Sequence, residues 1–410
     1  MHDSFEKKIF SVFITFVFFA GNNIGSLVGI NTIIKLLNNI LTLYMLFDIC
    51  FQIIKTKKIE KITPVTVLFL LYLIVYVVIT LAVGGELIFN NITMIIKSAI
   101  VLVWLDRYVR ADMTLLEGPI LAAFYIWCFF DTVITLIYPA GAPFLMNGYI
   151  LGWKNNKIMY FIITNLLSAY HYINLEGRRK RTNFLIVWGM LSIGCIANAI
   201  LIESSTTAMV VVLIALFVPL RKIITCTPLV NGKFVLGFHA MCFVLIIFVR
   251  EIFQEPLDQI MNVLFGKDAS FTGRIYIWRA ALIQITKSPI WGYGKYETQY
   301  AILPSQYGYA YEYPWTMAHN QILDLMLRGG IIILALWLGV LFIIIRKNQK
   351  NKSIYSKLST YTLFCLLFFF HTEASMDAIT YLIFLCLYLI GQKENNKGEL
   401  KRKRYEVTKE

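Results

Sequence analysis

Residues 64–83 read PVTVLFLLYLIVYVVITLAV, twenty successive positions without a charged side chain. A helix needs about 20 apolar residues to cross the hydrocarbon core of a bilayer. The whole chain shares this character, since 58% of its 410 residues are hydrophobic and 15% are charged, whereas soluble domains carry about 25% charged residues. Because backbone groups in lipid must be hydrogen-bonded within their own segment, we predict an all-α polytopic membrane protein.

Similar apolar runs recur along the chain and predict about twelve transmembrane helices. They begin near Ile9, Ile33, Pro64, Ile92, Leu115, Ile158, Phe184, Thr207, Phe234, Ile322, Leu358 and Ala378. An exceptionally long connection separates the ninth run from the tenth. The predicted division is therefore nine spans in residues 1–249, a loop in residues 250–320, three spans in residues 321–392 and a basic tail in residues 393–410.

The distribution of Lys and Arg predicts the orientation. Most of the 38 Lys and Arg residues fall in every second connection and in the two termini, and cytoplasmic connections are the ones enriched in these residues. Both termini are therefore predicted to be cytoplasmic, and the long loop is predicted to be extracytoplasmic. The net charge of +14 then reflects topology, so we expect no nucleic-acid partner.

The long loop contains helical patterns of its own. Structureless loops of this length are uncommon in compact proteins unless they are functional. Residues 272–286 have the pattern of one helix, which Thr272 can cap and Pro289 ends. The loop in residues 250–320 is thus predicted to be a small helical subdomain that acts as a lid.

Two arginines lie on this predicted helix. Arg274 and Trp278 are four positions apart and share a helical face, while Arg279 lies off that face but within one turn. The following segment in residues 289–294 reads PIWGYG. Its glycines predict a turn that brings its backbone close to another part of the molecule.

A histidine stands where the loop meets the tenth span. His319 is followed directly by Asn320 and then by an apolar helical pattern that carries Leu323, Leu327 and Ile331. A rigid element below a functional side chain holds it in place. We therefore predict that His319 faces the outer leaflet from a fixed position.

Four short motifs follow one another through this region. They are Gly273-Arg274…Trp278, Pro289…Gly292-Tyr293-Gly294, Ala318-His319-Asn320 and Gly329-Gly330. Their order, and their placement around a late outer loop in a chain of about twelve spans, resemble the O-antigen ligase-like membrane protein family. That family includes O-antigen ligases and the Wzy-type polymerases of O-antigen and capsule.

The resemblance implies metal-independent inverting glycosyl transfer at the outer face of a bacterial cytoplasmic membrane. The donor would be a growing glycan on undecaprenyl diphosphate, and the acceptor a sugar hydroxyl of the next lipid-linked repeat unit. The chain has no CxxC pair and no DxD-like pair in a predicted outer segment, so we expect no metal and no other cofactor. The implied partners are these lipid-linked oligosaccharides, the bilayer, and a chain-length regulator and a flippase of the same pathway.

The implied roles follow from side-chain chemistry. Arg274 and Arg279 are predicted to bind the departing diphosphate, because a guanidinium can bind phosphate with two parallel hydrogen bonds. His319 is predicted to be the catalytic base, with Asn320 beside it in the substrate site. Glu373 belongs to an ionisable cluster at the last outer turn, and it is predicted to contribute because such groups are costly in a membrane unless they are paired or hydrated.

Further substrate contacts are predicted on the same basis. The aromatic rings of Trp278, Tyr293 and Trp315 are candidates to stack on sugars. Residues 147–156 look like the family's earlier outer loop and add Lys154 and Asn156 as candidates.

One segment departs from the pattern of the ligases. Residues 203–208 read ESSTTA, and Thr206 stands where the ligases carry an arginine. This departure favours a polymerase over a ligase. It also leaves the diphosphate with one cation fewer, unless Lys154 or Arg279 supplies it.

Two other functions stay open. One is a ligase that transfers the glycan to a different acceptor, and the other is a transporter such as a flippase for the same lipid-linked units. Transporters usually place their polar groups near the bilayer midplane, whereas here those groups gather in an outer loop. A purely structural scaffold leaves the series of Arg, Trp, Gly and His unexplained.

Overall fold

The computed structural model describes residues 12–13, 15–19, 30–57, 61–83, 89–145, 148–152, 157–249, 274–295 and 317–394. Within these residues the chain forms helices joined by turns, with two isolated β-bridges and no β-strand. The prediction of an all-α protein is confirmed.

The main helices follow the predicted apolar runs closely. They are α1 (Ile30–Thr56), α2 (Pro64–Ala82), α3 (Phe89–Ala111), α4 (Leu121–Ile137), α5 (Lys157–Asn174), α6 (Arg178–Leu201), α7 (Ser205–Ala215), α8 (Gly232–Val244), α9 (Arg274–Lys287), α10 (Gln321–Lys350), α11 (Ile354–Thr372) and α12 (Ala378–Gln392). Every predicted run from Ile33 onwards coincides with one of these helices. The additional helix, α9, belongs to the predicted outer loop and overlaps the helix expected in residues 272–286, ending one residue later.

Five helices in the described part of the chain are long and apolar enough to cross a membrane. They are Thr32–Thr56, Pro64–Ala82, Leu116–Ile137, Arg178–Leu201 and Gln321–Lys350. Three shorter helices are also apolar, namely Ser205–Ala215, Gly232–Ile247 and Ala378–Gln392. These helices support a membrane protein, but the predicted count of about twelve spans is not confirmed.

Polar residues at the heads of the apolar runs determine where several helices begin. The Thr63 hydroxyl accepts the N–H of Thr66, and Pro64 occupies the first turn of α2. Asn320 accepts two N–H groups at the start of α10, and Asp377 accepts the N–H of Thr380 at the start of α12. Such side chains satisfy amide groups that the first helical turn leaves without partners.

The core lies around α5, α11 and α12, in which most side chains are buried. Helix α5 packs against α4, α6, α7, α11 and α12, and α10 packs against α2, α9, α11 and α12. The outer helices α1, α2 and α6 expose large apolar side chains, including Leu43, Ile74 and Met190. A helix with one buried face and one exposed apolar face is what a bundle surrounded by lipid requires.

The connections predicted to be cytoplasmic meet at one end of the bundle. The Lys357 ammonium donates to the carbonyl of Thr225, and the Asn351 amide donates to the carbonyl of Lys393. The Lys393 ammonium lies 2.9 Å from Oδ1 of Asn174. This grouping agrees with the pattern of Lys and Arg, and the side of the membrane that it faces stays a prediction.

A buried ion pair organises the opposite end. Nζ of Lys157 lies 2.9 Å from Oδ2 of Asp131, with both side chains fully buried, and it also lies 3.1 Å from Oδ1 of Asn198. Oδ1 of Asp131 accepts the N–H of Leu151, and the ammonium lies 3.5 Å from the centre of the Tyr149 ring. Burial, and then the nearby Asp131, raises the pKa of Tyr149. This network joins α4, α5, α6 and the segment in residues 148–152.

Replacing Lys157 with methionine should destabilise the protein by about 3–5 kcal/mol, because the Asp131 carboxylate would stay buried without its cation. The free energy of unfolding in detergent measures the loss. Lys35→Met removes an exposed lysine of α1 and should change stability by less than about 0.5 kcal/mol. Adding Asp131→Leu to Lys157→Met removes both charges and should restore much of the loss. Equal stability of Lys157→Met and Lys35→Met would contradict a structural role for the pair.

Candidate functional site

One buried carboxylate brings the principal predicted residues together. Glu373 directly follows α11 and is 5% exposed. Its Oε1 accepts a hydrogen bond from Nη2 of Arg274, and its Oε2 lies 2.9 Å from Nδ1 of His319. A buried carboxylate is stable only when it is paired and hydrogen-bonded. The two candidate catalytic residues therefore meet at Glu373, although all three come from separate parts of the chain.

Helix α9 positions Arg274 against the start of α10. Trp278, one turn further along α9, donates its indole N–H to the carbonyl of Ala318, at 2.9 Å. Trp278 is 3% exposed and packs in a small apolar cluster with Ile277 and Leu323. The shared face of Arg274 and Trp278 is thus as predicted, but the Trp278 ring is buried in the protein instead of exposed for stacking on a sugar.

The backbone of His319 is held in an unusual conformation. Its φ angle is 47°, a left-handed value that costs a residue other than glycine of the order of 1–3 kcal/mol. The contacts on either side hold it there. Before it, the carbonyl of Ala318 accepts a hydrogen bond from Trp278, and the N–H of Ala318 donates to Asp324. After it, Asn320 caps α10 and donates to the carbonyl of His371 at 3.0 Å.

Helix α10 is broken one and a half turns below Asp324, at the glycine break formed by Gly329 and Gly330. Gly329 has φ −158° and ψ 24°, and Gly330 has φ 58° and ψ −154°. Ile331, which the sequence places on one rigid helix with Leu323, lies beyond this break and is 49% exposed. The rigid support under His319 is therefore shorter than predicted, because the helical hydrogen bonding ends at the glycines.

The glycine turn in residues 289–294 docks onto this break. Three backbone hydrogen bonds join them, from Tyr293 N to Leu327 O (2.7 Å), from Gly294 N to Arg328 O (2.9 Å) and from Ile331 N to Pro289 O (2.9 Å). A Cβ atom on Gly292 would lie 2.6 Å from the carbonyl oxygen of Leu327, and one on Gly330 would lie 2.1 Å from that of Ile290. The predicted close backbone contact is thus made with α10, and only glycine fits on either side of it.

The other predicted residues have different positions. Thr206 accepts a hydrogen bond from the hydroxyl of Thr372, the residue before Glu373, at 3.3 Å. The Tyr293 hydroxyl donates to the carbonyl of Gln284, so this side chain fastens the turn to α9. Arg279 is half-buried on α9. The predicted contacts Lys154, Asn156 and Trp315 lie outside the described residues.

Two charged residues near the site are missing from the sequence predictions. Arg328 Nε lies 2.6 Å from Oδ2 of Asp324, and both side chains are mostly buried in the first part of α10. Their sequence signal is a pair of opposite charges four positions apart inside an apolar run. Charged residues within a membrane span are rare and mark functional sites often enough to be candidates by default.

A comparison with known families can now be set beside this geometry. Residues 190–338 match the O-antigen ligase family model. The match begins in α6, ends in α10 and covers a little over a third of the chain. It contains Arg274, Trp278, His319 and the glycine break, so the resemblance predicted from these motifs is confirmed.

The match also limits what is established. An O-antigen ligase family domain supports a membrane enzyme that transfers glycans, without defining the acceptor. Glu373, which joins Arg274 to His319, lies beyond the matched residues. No curated protein and no solved structure matches the chain at a significant level.

Gly330→Ala should separate the glycine turn from α10, because the new methyl group would overlap the carbonyl of Ile290. We expect a loss of at least about 1–3 kcal/mol in the free energy of unfolding, the usual cost of a strained backbone position. Gly237→Ala adds a methyl group in α8 with nothing within 4 Å, and it should leave stability unchanged or slightly raised.

A local readout accompanies this comparison. Ala281 lies on the buried face of α9. A cysteine introduced there should react with a maleimide faster in the Gly330→Ala background than in the Gly237→Ala background. Equal labelling rates in the two backgrounds would show that the glycine contact does not hold α9 in place.

Proposed function

We propose that this protein is a polysaccharide polymerase of the bacterial cytoplasmic membrane. It joins undecaprenyl-diphosphate-linked oligosaccharide repeat units at the outer face by metal-independent inverting glycosyl transfer. The observation that supports this most strongly is the buried Glu373 carboxylate, with Arg274 on one oxygen and His319 on the other. A group that binds phosphate and a group that accepts protons are thereby held side by side.

In the proposed reaction, a hydroxyl oxygen of the acceptor sugar attacks the anomeric carbon of the donor. The new carbon–oxygen bond forms as the bond from that carbon to the diphosphate breaks, and its electron pair leaves on the diphosphate. Negative charge therefore grows on the phosphate oxygens. Arg274 stabilises this charge, because a guanidinium has five N–H donors in a planar fork and can serve the Glu373 carboxylate and a phosphate together.

His319 takes the proton that the acceptor hydroxyl loses. Glu373 Oε2 accepts the hydrogen bond of Nδ1–H, which leaves Nε2 as the basic nitrogen. A carboxylate in this position also stabilises the imidazolium that forms when the proton arrives, as in other sites where an acid orients a histidine base. Glu373 is accordingly a positioning residue, while Arg274 and His319 contact the reacting groups.

A ligase is the second candidate, because the family model that matches residues 190–338 is described as O-antigen ligase. Both enzymes use a glycan on a lipid diphosphate, and they differ in the acceptor. Thr206 supplies a neutral hydroxyl that contacts Thr372, the residue before Glu373, at the position where the resemblance implies an arginine in ligases. The products separate the two functions: a polymerase produces a ladder of repeat lengths, whereas a ligase moves one preformed chain to an acceptor of another kind.

Glu373→Gln should reduce chain extension by at least about 100-fold, the lower range for loss of positioned acid–base catalysis. The substitution keeps the shape of the side chain but removes the charge that Arg274 and His319 share. Arg274→Ala and His319→Ala should abolish extension. The measurement is the ladder of glycan lengths on a gel, made from cells in which each variant is present in the membrane at the wild-type level.

Matched controls are available at exposed positions near the other end of the bundle. Glu176→Gln and Arg179→Ala change the same residue types and should give a wild-type ladder. A wild-type ladder from Glu373→Gln or His319→Ala would refute the site assignment. Repeat units that accumulate on the inner leaflet in cells without the protein would instead show transport.

A further inference from the structure

A cavity of about 580 Å³ borders the segments that carry the site, and its lining residues come from outside α9. Its walls come from α2, α3, the start of α10 and the connection between α11 and α12. The polar side chains that line it include Tyr72, Tyr76, Ser98, Asp324, Arg328 and Ser375. Cavities of about 300–1,000 Å³ commonly hold small-molecule ligands in proteins.

The cavity adjoins the catalytic residues through continuous backbone. Ala374 and Ser375 line it and directly follow Glu373, and Met317 lines it two residues before His319. The connection after α11 therefore begins at Glu373, which contacts Arg274 and His319, and the residues that follow it line the cavity. The cavity therefore borders the two segments that carry His319 and Glu373, and no residue of α9 lines it.

The Asp324–Arg328 pair makes one wall of this cavity strongly polar. Oδ2 of Asp324 accepts from Nε of Arg328, and its Oδ1 accepts the N–H of Ala318. One carboxylate thus connects the cavity wall with the residue that precedes His319. Sugar hydroxyls can both donate to a carboxylate and accept from a guanidinium, so a saccharide can hydrogen-bond to both charges.

Aromatic side chains from α2 also line the cavity. Tyr72 and Tyr76 lie one helical turn apart on α2, with nearly parallel rings whose centres are 6.2 Å apart. Both side chains line the cavity. Aromatic faces pack against the C–H faces of sugar rings, while phenol hydroxyls at their edges can hydrogen-bond, as in other sites that recognise amphipathic ligands.

We propose that this cavity is the acceptor subsite, in which the saccharide of the incoming repeat unit contacts Tyr76 and the Asp324–Arg328 pair. This inference rests on the proposed function. The donor diphosphate then approaches Arg274 from the α9 side, and the acceptor hydroxyl reaches His319 from the cavity side. An acyl chain is a poorer occupant, because it offers no hydrogen bonds to the polar wall that the Asp324–Arg328 pair forms.

The test measures binding of the repeat-unit oligosaccharide, released by mild acid from the lipid-linked units that accumulate in cells lacking this protein. Without a diphosphate leaving group, this probe can accept but cannot donate. Binding to the purified full chain in nanodiscs is measured by titration. Ser98→Trp, which fills the cavity from α3, should weaken binding at least tenfold. Ile96→Trp, on the exposed face of the same helix, should bind like the wild type.

Two more variants make the result decisive. Arg328→Lys keeps the charge but removes the planar fork, and it should also weaken binding at least tenfold. This variant provides the test if Ser98→Trp proves unstable. Arg179→Lys makes the same change at an exposed position away from the cavity and should bind like the wild type. Wild-type affinity in both Ser98→Trp and Arg328→Lys, or no binding to the wild type, overturns the acceptor subsite. If a fluorescent prenyl diphosphate binds in the cavity and the oligosaccharide does not, the acceptor subsite is overturned in favour of a lipid site.

The proposed function is tested separately by extension of intact lipid-linked units in the same nanodiscs. If the wild-type protein extends chains while the cavity variants bind the oligosaccharide normally, the subsite is refuted and the polymerase stands. If the wild-type protein makes no chains, the polymerase fails regardless of binding.

Discussion

The buried carboxylate of Glu373 imposes the constraint from which the rest of the site follows. Removing a carboxylate from water costs several kcal/mol unless cationic or hydrogen-bonding groups replace its hydration. Arg274 and His319 supply those groups from the start of α9 and the start of α10. Satisfying a single charge thus sets the relative positions of three segments that are far apart in sequence. It also places the two chemically active side chains within one side-chain length of each other.

The surrounding contacts make this arrangement rigid from both sides. Trp278 holds the carbonyl before His319, and Asn320 links the residue after it to the end of α11. The glycine break allows α9 to approach α10 closely, because a helix that continued through Gly329 would have no backbone groups to offer the turn. The strained φ of His319 fits this pattern, since strain persists where neighbouring contacts over-determine a conformation.

The sequence predicts the parts of this structure that depend on local signals. A capping position, a terminating proline and the helical spacing of Arg274 and Trp278 are enough to predict α9, and Asn320 predicts the start of α10. Long-range partners leave no such signal. The glycines in residues 289–294 indicate a close backbone contact, but nothing local identifies Gly330 as its other side. The count of about twelve spans is not confirmed, and hydropathy alone does not decide it, because it does not distinguish an apolar helix covered by lipid from one covered by protein. Helices α11 and α12 are buried within the bundle.

The proposed function requires one small site to serve two similar substrates. In a polymerase both substrates carry a saccharide on a lipid diphosphate, so the enzyme must keep their roles apart. The connection that begins at Glu373 lies between a guanidinium on the α9 side, Arg274, and a guanidinium on the cavity side, Arg328. Arg274 shares the Glu373 carboxylate with His319. Arg328 is paired with Asp324, which also accepts the N–H of Ala318, the residue before His319. In the proposed assignment, a saccharide at Arg328 would present its hydroxyl to His319, whereas a diphosphate at Arg274 would lie where the leaving group is stabilised, so the roles of donor and acceptor would follow from the side of entry.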